Sequence, residues 1–234
     1  MRLSALAPFL ALIALAARAQ PTEPAAQIPA DLGQGAAALI GKIEGDSYVS
    51  PTGSFKVPIP VLSALGGTIT DTSNVVTFQD EFNTHISIAA FPMDATQRWQ
   101  LSVLGMKEYL QYFLTNFFLP DFARAFPKTQ LEKSGRYVSN FDGALIAYTL
   151  LPGGSMFASR LPHLTDDDKQ PVAKRGNMLF VKNDNVFVIS TELAERVTEG
   201  SSYKQTPEQE NDLLKERLID IANKIRFLKT ASAH

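Results

Sequence analysis

The sequence predicts an α+β fold, a central antiparallel sheet sandwiched between helices, and three observations carry that expectation. Residues 178–181 and 186–189 are apolar, β-branched-rich runs flanking Lys182-Asn183-Asp184-Asn185. Asn and Asp tolerate the left-handed conformations of a tight antiparallel turn, so the stretch reads as a β-hairpin. Neighbouring residues in each arm are both apolar, so each strand buries both faces and the sheet needs a cover on each side. Two long amphipathic helices, one starting at Asp94 and one at Thr206, are available to supply it.

The chain has 234 residues, enough for one domain with tails. Residues 1–19 read as a cleaved signal peptide. Arg2 precedes an uncharged Leu- and Ala-rich run that ends in Ala17-Arg18-Ala19, the small-x-small pattern of a signal-peptidase site. The run is shorter than the roughly 20 apolar residues of a membrane span, so no stable span is expected after cleavage. The mature chain then starts near Gln20, with residues 20–38, rich in Ala, Pro, Gln and Gly, as a flexible linker. Residues 39–230 are expected to form a single α/β domain, and residues 231–234 a tail.

The 22 Lys and Arg against 24 Asp and Glu give no electrostatic reason to expect nucleic acid. Loss of Arg2 and Arg18 leaves 20 basic residues against 24 acidic, a net of −4. Cysteine is absent, which excludes a disulfide scaffold and a lipid-bearing cysteine. A periplasmic or secreted bacterial protein fits best.

Within the domain a first strand is expected at residues 39–43, and Ser50-Pro51-Thr52-Gly53 is a turn. Phe55, Val57 and Ile59 alternate with Lys56, Pro58 and Pro60, a half-buried strand that its prolines confine to an edge or an end. Gly66-Gly67 turns the chain into residues 68–70 and then 75–78. Ile86, Ile88 and Ala90 alternate with His85, Ser87 and Ala89, a strand with one polar face. Asp94 caps the first long helix, with Gln97 at capping-box spacing. Trp99, Val103, Met106, Leu110, Phe113 and Phe117 trace one stripe, widened by Leu104, Leu114 and Phe118, that reads as core. Pro120 is expected to stop the helix.

Residues 130–139 and 144–151 read as two strands joined through Asn140-Phe141-Asp142-Gly143, the second of them central. Residues 152–176 break the pattern and read as a long loop, the kind that is functional or disordered. A short helix is expected at 192–199. The last helix is the best signalled: Thr206 is its N-cap, Pro207 its first residue and Gln209 completes a capping box. Leu214, Leu218, Ile221, Ile225 and Leu228 form its buried stripe. Glu208 and Glu210 near its start and Lys224, Arg226 and Lys229 near its end suit the helix dipole.

This order of elements, with Tyr48…Ser50-Pro51-x-Gly53-x-Phe55-x-Val57-x-x-Pro60, Phe78-x-Asp80 and Ile86-Ser87-Ile88, resembles the PsbP-like family, whose α/β/α sandwich is shared with Ran-binding Mog-type proteins. The likeness runs from residue 39 to 228, with its specific residues in the first third. One departure stands out: the family often places a Trp after the proline that ends the strand, and here Val61-Leu62 follow Pro60. The matching positions are turn, strand and core positions. The resemblance therefore implies a fold and a non-enzymatic accessory or binding protein, and it transfers no site. Nothing in the sequence ties the chain to a photosystem.

Candidate chemistry is thin. His163 with Asp166, Asp167 and Asp168 offers one nitrogen and several oxygens to a divalent metal, although three adjacent loop carboxylates are more often a solvated turn. His85 and Ser87 share one strand face, the raw material of a base and nucleophile. Ser87 lacks a strained elbow and has no identifiable acidic partner, so His85 reads as a surface histidine. Gly66-Gly67 and Gly153-Gly154 lack phosphate-loop spacing.

No catalytic residue and no cofactor is assigned. The expected working surface is the 152–176 loop, with Met156, Phe157, Leu161 and Leu164 as exposed apolar contacts, beside the sheet edge near residues 48–60. The expected function is an exported non-enzymatic accessory or binding protein of the bacterial envelope, with an envelope protein as its partner. A periplasmic small-molecule or divalent-metal binding protein is the alternative, and a hydrolase ranks last.

Overall fold

The computed structural model describes residues 39–133, 135–158 and 171–229. The expected signal peptide, linker and tail lie outside the described residues. Strands β1 (Lys42–Glu44), β2 (Ser47–Val49) and β3 (Phe55–Pro58) come first, then β4 (Thr68–Asp71), β5 (Val75–Gln79) and β6 (His85–Pro92). Helices α1 (Ala95–Leu104) and α2 (Met106–Phe113), a π-helical turn over Leu114–Phe118 and α3 (Leu119–Ala125) follow. Next are β7 (Gln130–Leu131), β8 (Arg136–Val138), β9 (Ala144–Pro152), β10 (Val172–Lys182) and β11 (Asn185–Glu192). The chain then forms α4 (Glu195–Thr198), α5 (Pro207–Lys224) and β12 (Arg226–Phe227).

The main sheet is antiparallel, in the order β4-β5-β6-β11-β10-β9-β7, with β8 also paired to β9. The β10–β11 hairpin occupies its centre and closes at Lys182↔Asn185, with Asn183 and Asp184 at φ 48° and 62°. Positive φ at both central residues is the turn whose twist matches that of the strands it joins. One face of the sheet packs Ile146, Tyr148, Met178, Phe180, Phe187 and Ile189 against Leu214, Leu218 and Ala222 of α5. The other packs Leu145, Ala147, Leu179, Val186 and Val188 against Tyr109, Leu110, Phe113 and Leu114. The α+β sandwich is therefore the observed architecture.

A second, four-stranded sheet, β1-β2-β3-β12, shares the α5 side of the core through Tyr48, Phe55 and Val57. It exists because α5 ends earlier than its stripe implied. Ile225 is extended, and Arg226–Phe227 pair with Lys56 and Phe55 of β3. The Tyr48 hydroxyl donates to Asp71 at 2.7 Å, and the same carboxylate accepts the backbone N–H groups of Ile40 and Gly41, tying this sheet to β4. Pro58 closes β3, as its missing N–H requires.

The helical cover departs from expectation in three ways. The Asp94–Gln97 capping box forms, but Gly105, at φ 79° and ψ 164°, breaks the helix into α1 and α2. The four-and-three spacing loses its phase at the break. Trp99 (63% exposed), Val103 and Leu104, before the break, are consequently exposed instead of core, and Phe117, in the π-helical turn, is exposed as well. Pro120 does not stop the helix, because it falls in the first turn of α3, where no N–H is needed.

Residues 130–139 make two short strands, β7 and β8, instead of one. The 152–176 loop also shrinks, since Val172 pairs with Pro152 and strands reach both its ends. No helix among the described residues is long and apolar enough to cross a membrane.

Gly176 lies under α5, where an added Cβ would sit 2.9 Å from Leu218 Cδ1 and 3.1 Å from Leu214 Cβ. Gly176→Val forces the helix off the sheet and is expected to cost about 1–3 kcal/mol, read as a lowered urea midpoint. An unchanged midpoint would mean that α5 is free to shift.

Candidate functional site

Adjacent residues of a strand point to opposite faces, and on β10 the pair Lys174-Arg175 sends a buried cation to each. Lys174 Nζ lies 3.0 Å from both Glu132 Oε1 and Glu210 Oε2, and Arg196 holds the other oxygen of Glu210. Arg175 Nη2 donates to Glu192 Oε2 at 3.3 Å and to the Gly154 carbonyl at 3.2 Å, and its guanidinium lies 5.8 Å from the Phe122 ring. Glu192 in turn accepts from Ser155 Oγ (2.6 Å) and from the Met156 backbone N–H (3.2 Å). Gln79 donates to the Met156 carbonyl. The β9–β10 connection thus leaves the sheet through a segment, 153–158, held by a buried ion pair.

The proposed loop contacts change meaning accordingly. Phe157 is 1% exposed and packs on Ala194 and Val197, so it is not an exposed contact, and Met156 is half-buried. Leu161, Leu164, His163, Asp166, Asp167 and Asp168 lie outside the described residues. No group of three or more metal-ligating side chains occurs among the described residues.

His85 is buried beside this network and is not a surface histidine. Its Nδ1 has no hydrogen-bond partner among the described residues, and Ser87 Oγ is instead 3.0 Å from Thr77 Oγ1. The two residues are neighbours on one face without the hydrogen bond that a nucleophile and base require. Burial first, and then the positive charge of Arg175, push the His85 pKa well below 6.5 and keep the ring neutral.

A cavity of about 310 Å³ lies on the other face, between α5, the end of β3 and the β5–β6 hairpin. Val57, Phe78, Ile86 and Ile88 form an apolar floor and Ile221 a wall. Thr84, Asn83 and Thr191 add polar groups, while Arg217, Asp220 and Lys224 line the α5 side. Asp80 fixes the hairpin that presents Asn83 and Thr84, accepting the backbone N–H groups of Phe82, Asn83 and Thr84 at 2.8–2.9 Å. Burial raises the Asp80 pKa, but these donors outweigh it and hold the carboxyl below its ordinary range. Arg217 is fixed by a two-pronged pair with Glu195. The exposed Lys224–Asp220 pair is a weak one, free to exchange partners.

Pro58 and Pro60 at the cleft belong to the stretch singled out from sequence as a working edge, and Ile221 to the predicted α5 stripe. The charged residues of the α5 side were missed. Their signal is the spacing 217, 220, 224, which keeps them beside Ile221 on one helix face.

No family model and no curated protein matches the chain. Solved structures do match it. A protein of Bacteroides thetaiotaomicron aligns over 80% of this chain and 50% of its own, at 10% identity and TM-score 0.39. The chain thus spans about half the length of that protein. The Ran-binding protein Mog1p of Saccharomyces cerevisiae aligns over 82% and 98%, at 12% identity and TM-score 0.45. The cyanobacterial PsbP of Synechocystis aligns over 81% and 99%, at 13% identity and TM-score 0.46. Both kinds of protein that the sequence resembles are therefore among the structures it matches.

The neutral His85 has a pH consequence. In the unfolded chain a histidine titrates near 6.5, so below that pH the unfolded state takes up a proton that the folded state refuses. The stability that depends on neutral His85 is whole above pH 6.5 and is lost as the pH falls toward the depressed folded pKa. Between pH 6.5 and about 5, His85→Leu is expected to flatten the decline in urea stability by up to about 1.4 kcal/mol per pH unit. Parallel declines in the two proteins would remove His85 as the cause.

Proposed function

We propose that the chain is an exported, non-enzymatic binding protein of the bacterial envelope, and that it works through the cleft between α5 and the sheet. The carrying observation is the cleft itself: a 310 Å³ cavity with an apolar floor, fixed polar groups and both signs of charge beside it. That volume is at the low end of the roughly 300–1,000 Å³ of small-molecule sites, and it suits the anchor side chain of a protein partner. Export is supported by the Ala17-Arg18-Ala19 pattern after the Leu/Ala-rich run, and a bacterial source by the absence of cysteine. The partner expected is an envelope protein that inserts an apolar side chain and answers Arg217, Asp220 and Lys224 with charges of its own. A small apolar ligand with a polar end is the second reading, favoured by the same floor.

Three immobilised baits separate these readings: the chain from Gln20 onward, the same chain with Ile221→Glu, and the same chain with residues 159–170 replaced by Gly and Ser. A charge in the apolar wall is expected to weaken capture of an envelope protein by about tenfold or more, equivalent to 1.4 kcal/mol, while circular dichroism shows the fold intact. Equal capture by the first two baits would overturn the cleft as the site, and loss from the third alone would place the surface on the β9–β10 connection. If no bait captures a protein, and an apolar acid raises the melting temperature of the parent chain but not of Ile221→Glu, the small-molecule reading replaces the first.

A further inference from the structure

A second cavity, about 230 Å³, lies where the end of β6 meets α1, the π-helical turn and α3, on the face of the sheet opposite the cleft. Its composition is unlike that of the cleft. Phe91, Phe113, Phe117 and Phe118 line it, and Gln97 and Asp121 are its polar residues. The local backbone explains how four phenylalanines reach one place. In a regular α-helix Phe113 and Phe117 share a face and Phe118 turns away. The wider π-helical turn, whose hydrogen bonds span five residues, brings a side chain five positions on back toward that face. Phe91 arrives from β6, with its ring 6.0 Å from that of Phe113, and the Phe113 and Phe117 rings are 5.3 Å apart. The rings are tilted by 44° and 32° instead of being stacked flush.

Aromatic rings present negative faces and positive edges, so a cavity walled by them favours a cation whose surface is apolar. A bare ammonium or a metal ion would lose most of its water shell there, with only Gln97 and Asp121 to replace it. An alkylated ammonium brings little such shell and keeps its charge. Asp121 supplies the counter-charge. Its one ion pair among the described residues, to Arg124 at 3.2 Å, joins two exposed side chains three residues apart and leaves the carboxylate free to exchange. Gln97 is held by the α1 capping box, which fixes that wall.

We infer that this aromatic cavity is a binding site for an alkylated ammonium group, with the phenylalanine rings around the alkyl shell and the Asp121 carboxylate as its counter-ion. The group is one that choline, a betaine or a choline lipid headgroup would present. The site is separate from the cleft beneath α5 and stands whether or not that cleft binds a partner.

The test is calorimetric titration of the full chain with tetramethylammonium, with choline, and with 3,3-dimethylbutan-1-ol, the uncharged isostere of choline. Saturable binding of both cations is expected, with the isostere about tenfold weaker or worse because it lacks the cation–π attraction. Phe117→Ala, which alters a 43% exposed side chain and spares the core, is expected to weaken choline about fivefold. Asp121→Asn is expected to weaken choline by about two- to fivefold, more at low salt than at high. Ile221→Glu, in the other cavity, should leave choline binding unchanged.

Vesicles of phosphatidylcholine and of phosphatidylglycerol distinguish the sources. Phosphatidylcholine binding that free choline competes away assigns a lipid headgroup, and binding of free choline alone assigns a soluble amine. Absence of saturable cation binding up to about 50 mM would overturn the proposal, since that limit lies far above any specific site. Equal binding of the isostere, or indifference to both Phe117→Ala and Asp121→Asn, would overturn it as well.

Discussion

Two adjacent cations in the central strand govern how this molecule is put together. Lys174 and Arg175 point to opposite faces of β10, and each is buried against a carboxylate from a covering or neighbouring element. Lys174 engages Glu210 in the first turn of α5, and Arg175 engages Glu192, which in turn holds the Ser155–Met156 backbone. Buried ion pairs add little net stability, because desolvation offsets most of their attraction, yet an orphaned member costs about 3–5 kcal/mol. Their influence is therefore on arrangement. A one-residue slip of β10 would send each cation to the wrong side of the sheet, away from both partners. The α5 register, the β10 register and the departure of the 153–158 segment are mutually dependent for this reason.

With the centre fixed in this way, the two faces of the sheet are finished differently, and the cavities follow from the difference. On one face α5 shares the cover with a four-stranded sheet. A helix and a sheet meet at a wedge, and the wedge beside Pro58 and Pro60 is the cleft. Prolines suit its margin because no ladder hydrogen bond is asked of them there. On the other face the cover is one helical path with two irregularities, the break at Gly105 and the π-helical turn at 114–118. The break leaves α1 without a buried residue. The turn gathers phenylalanines that regular spacing would distribute. Both sites are thus products of irregular junctions between elements.

What was legible in the sequence was local. The Asn183-Asp184 turn, the Thr206–Gln209 and Asp94–Gln97 capping boxes and the burial of β9 on both faces each depend on a few consecutive residues, and all appear in the structure. The expected central position of β9 does not, since β9 lies between β10 and the short β7 and β8. The misreadings depend on geometry at a distance. Trp99 and Val103 keep perfect helical spacing with Leu110, and only the φ of Gly105 separates an exposed stripe from a buried one. Leu228 keeps the α5 period too, but pairing of β12 with β3 takes the chain out of the helix at Ile225. His85 alternates as a polar-face residue should, and that face turns out to be buried beside Arg175. Periodicity reports which side a residue shares with its neighbours. It does not report what covers that side.

The same limit explains why the candidate sites were nearly silent. A catalytic centre announces itself through residue types that cores avoid, such as a cysteine–histidine pair or clustered carboxylates. The sites of this chain are built from Val, Ile and Phe, the residues of which cores are made. Ile88 is as buried as Ile146 and Ile189 and is a site residue only because it floors the wedge between α5 and the sheet that Ile221 walls. Phe113 and Phe117 differ from Phe180 and Phe187 only through one wide helical turn. A binding surface of this kind is set by where packing is left incomplete, a property of the assembled fold that no short stretch of sequence contains. Polar residues at such junctions, here Arg217 and Asp121, are the nearest thing to a readable mark. They become meaningful only once the apolar surface beside them is known to be open.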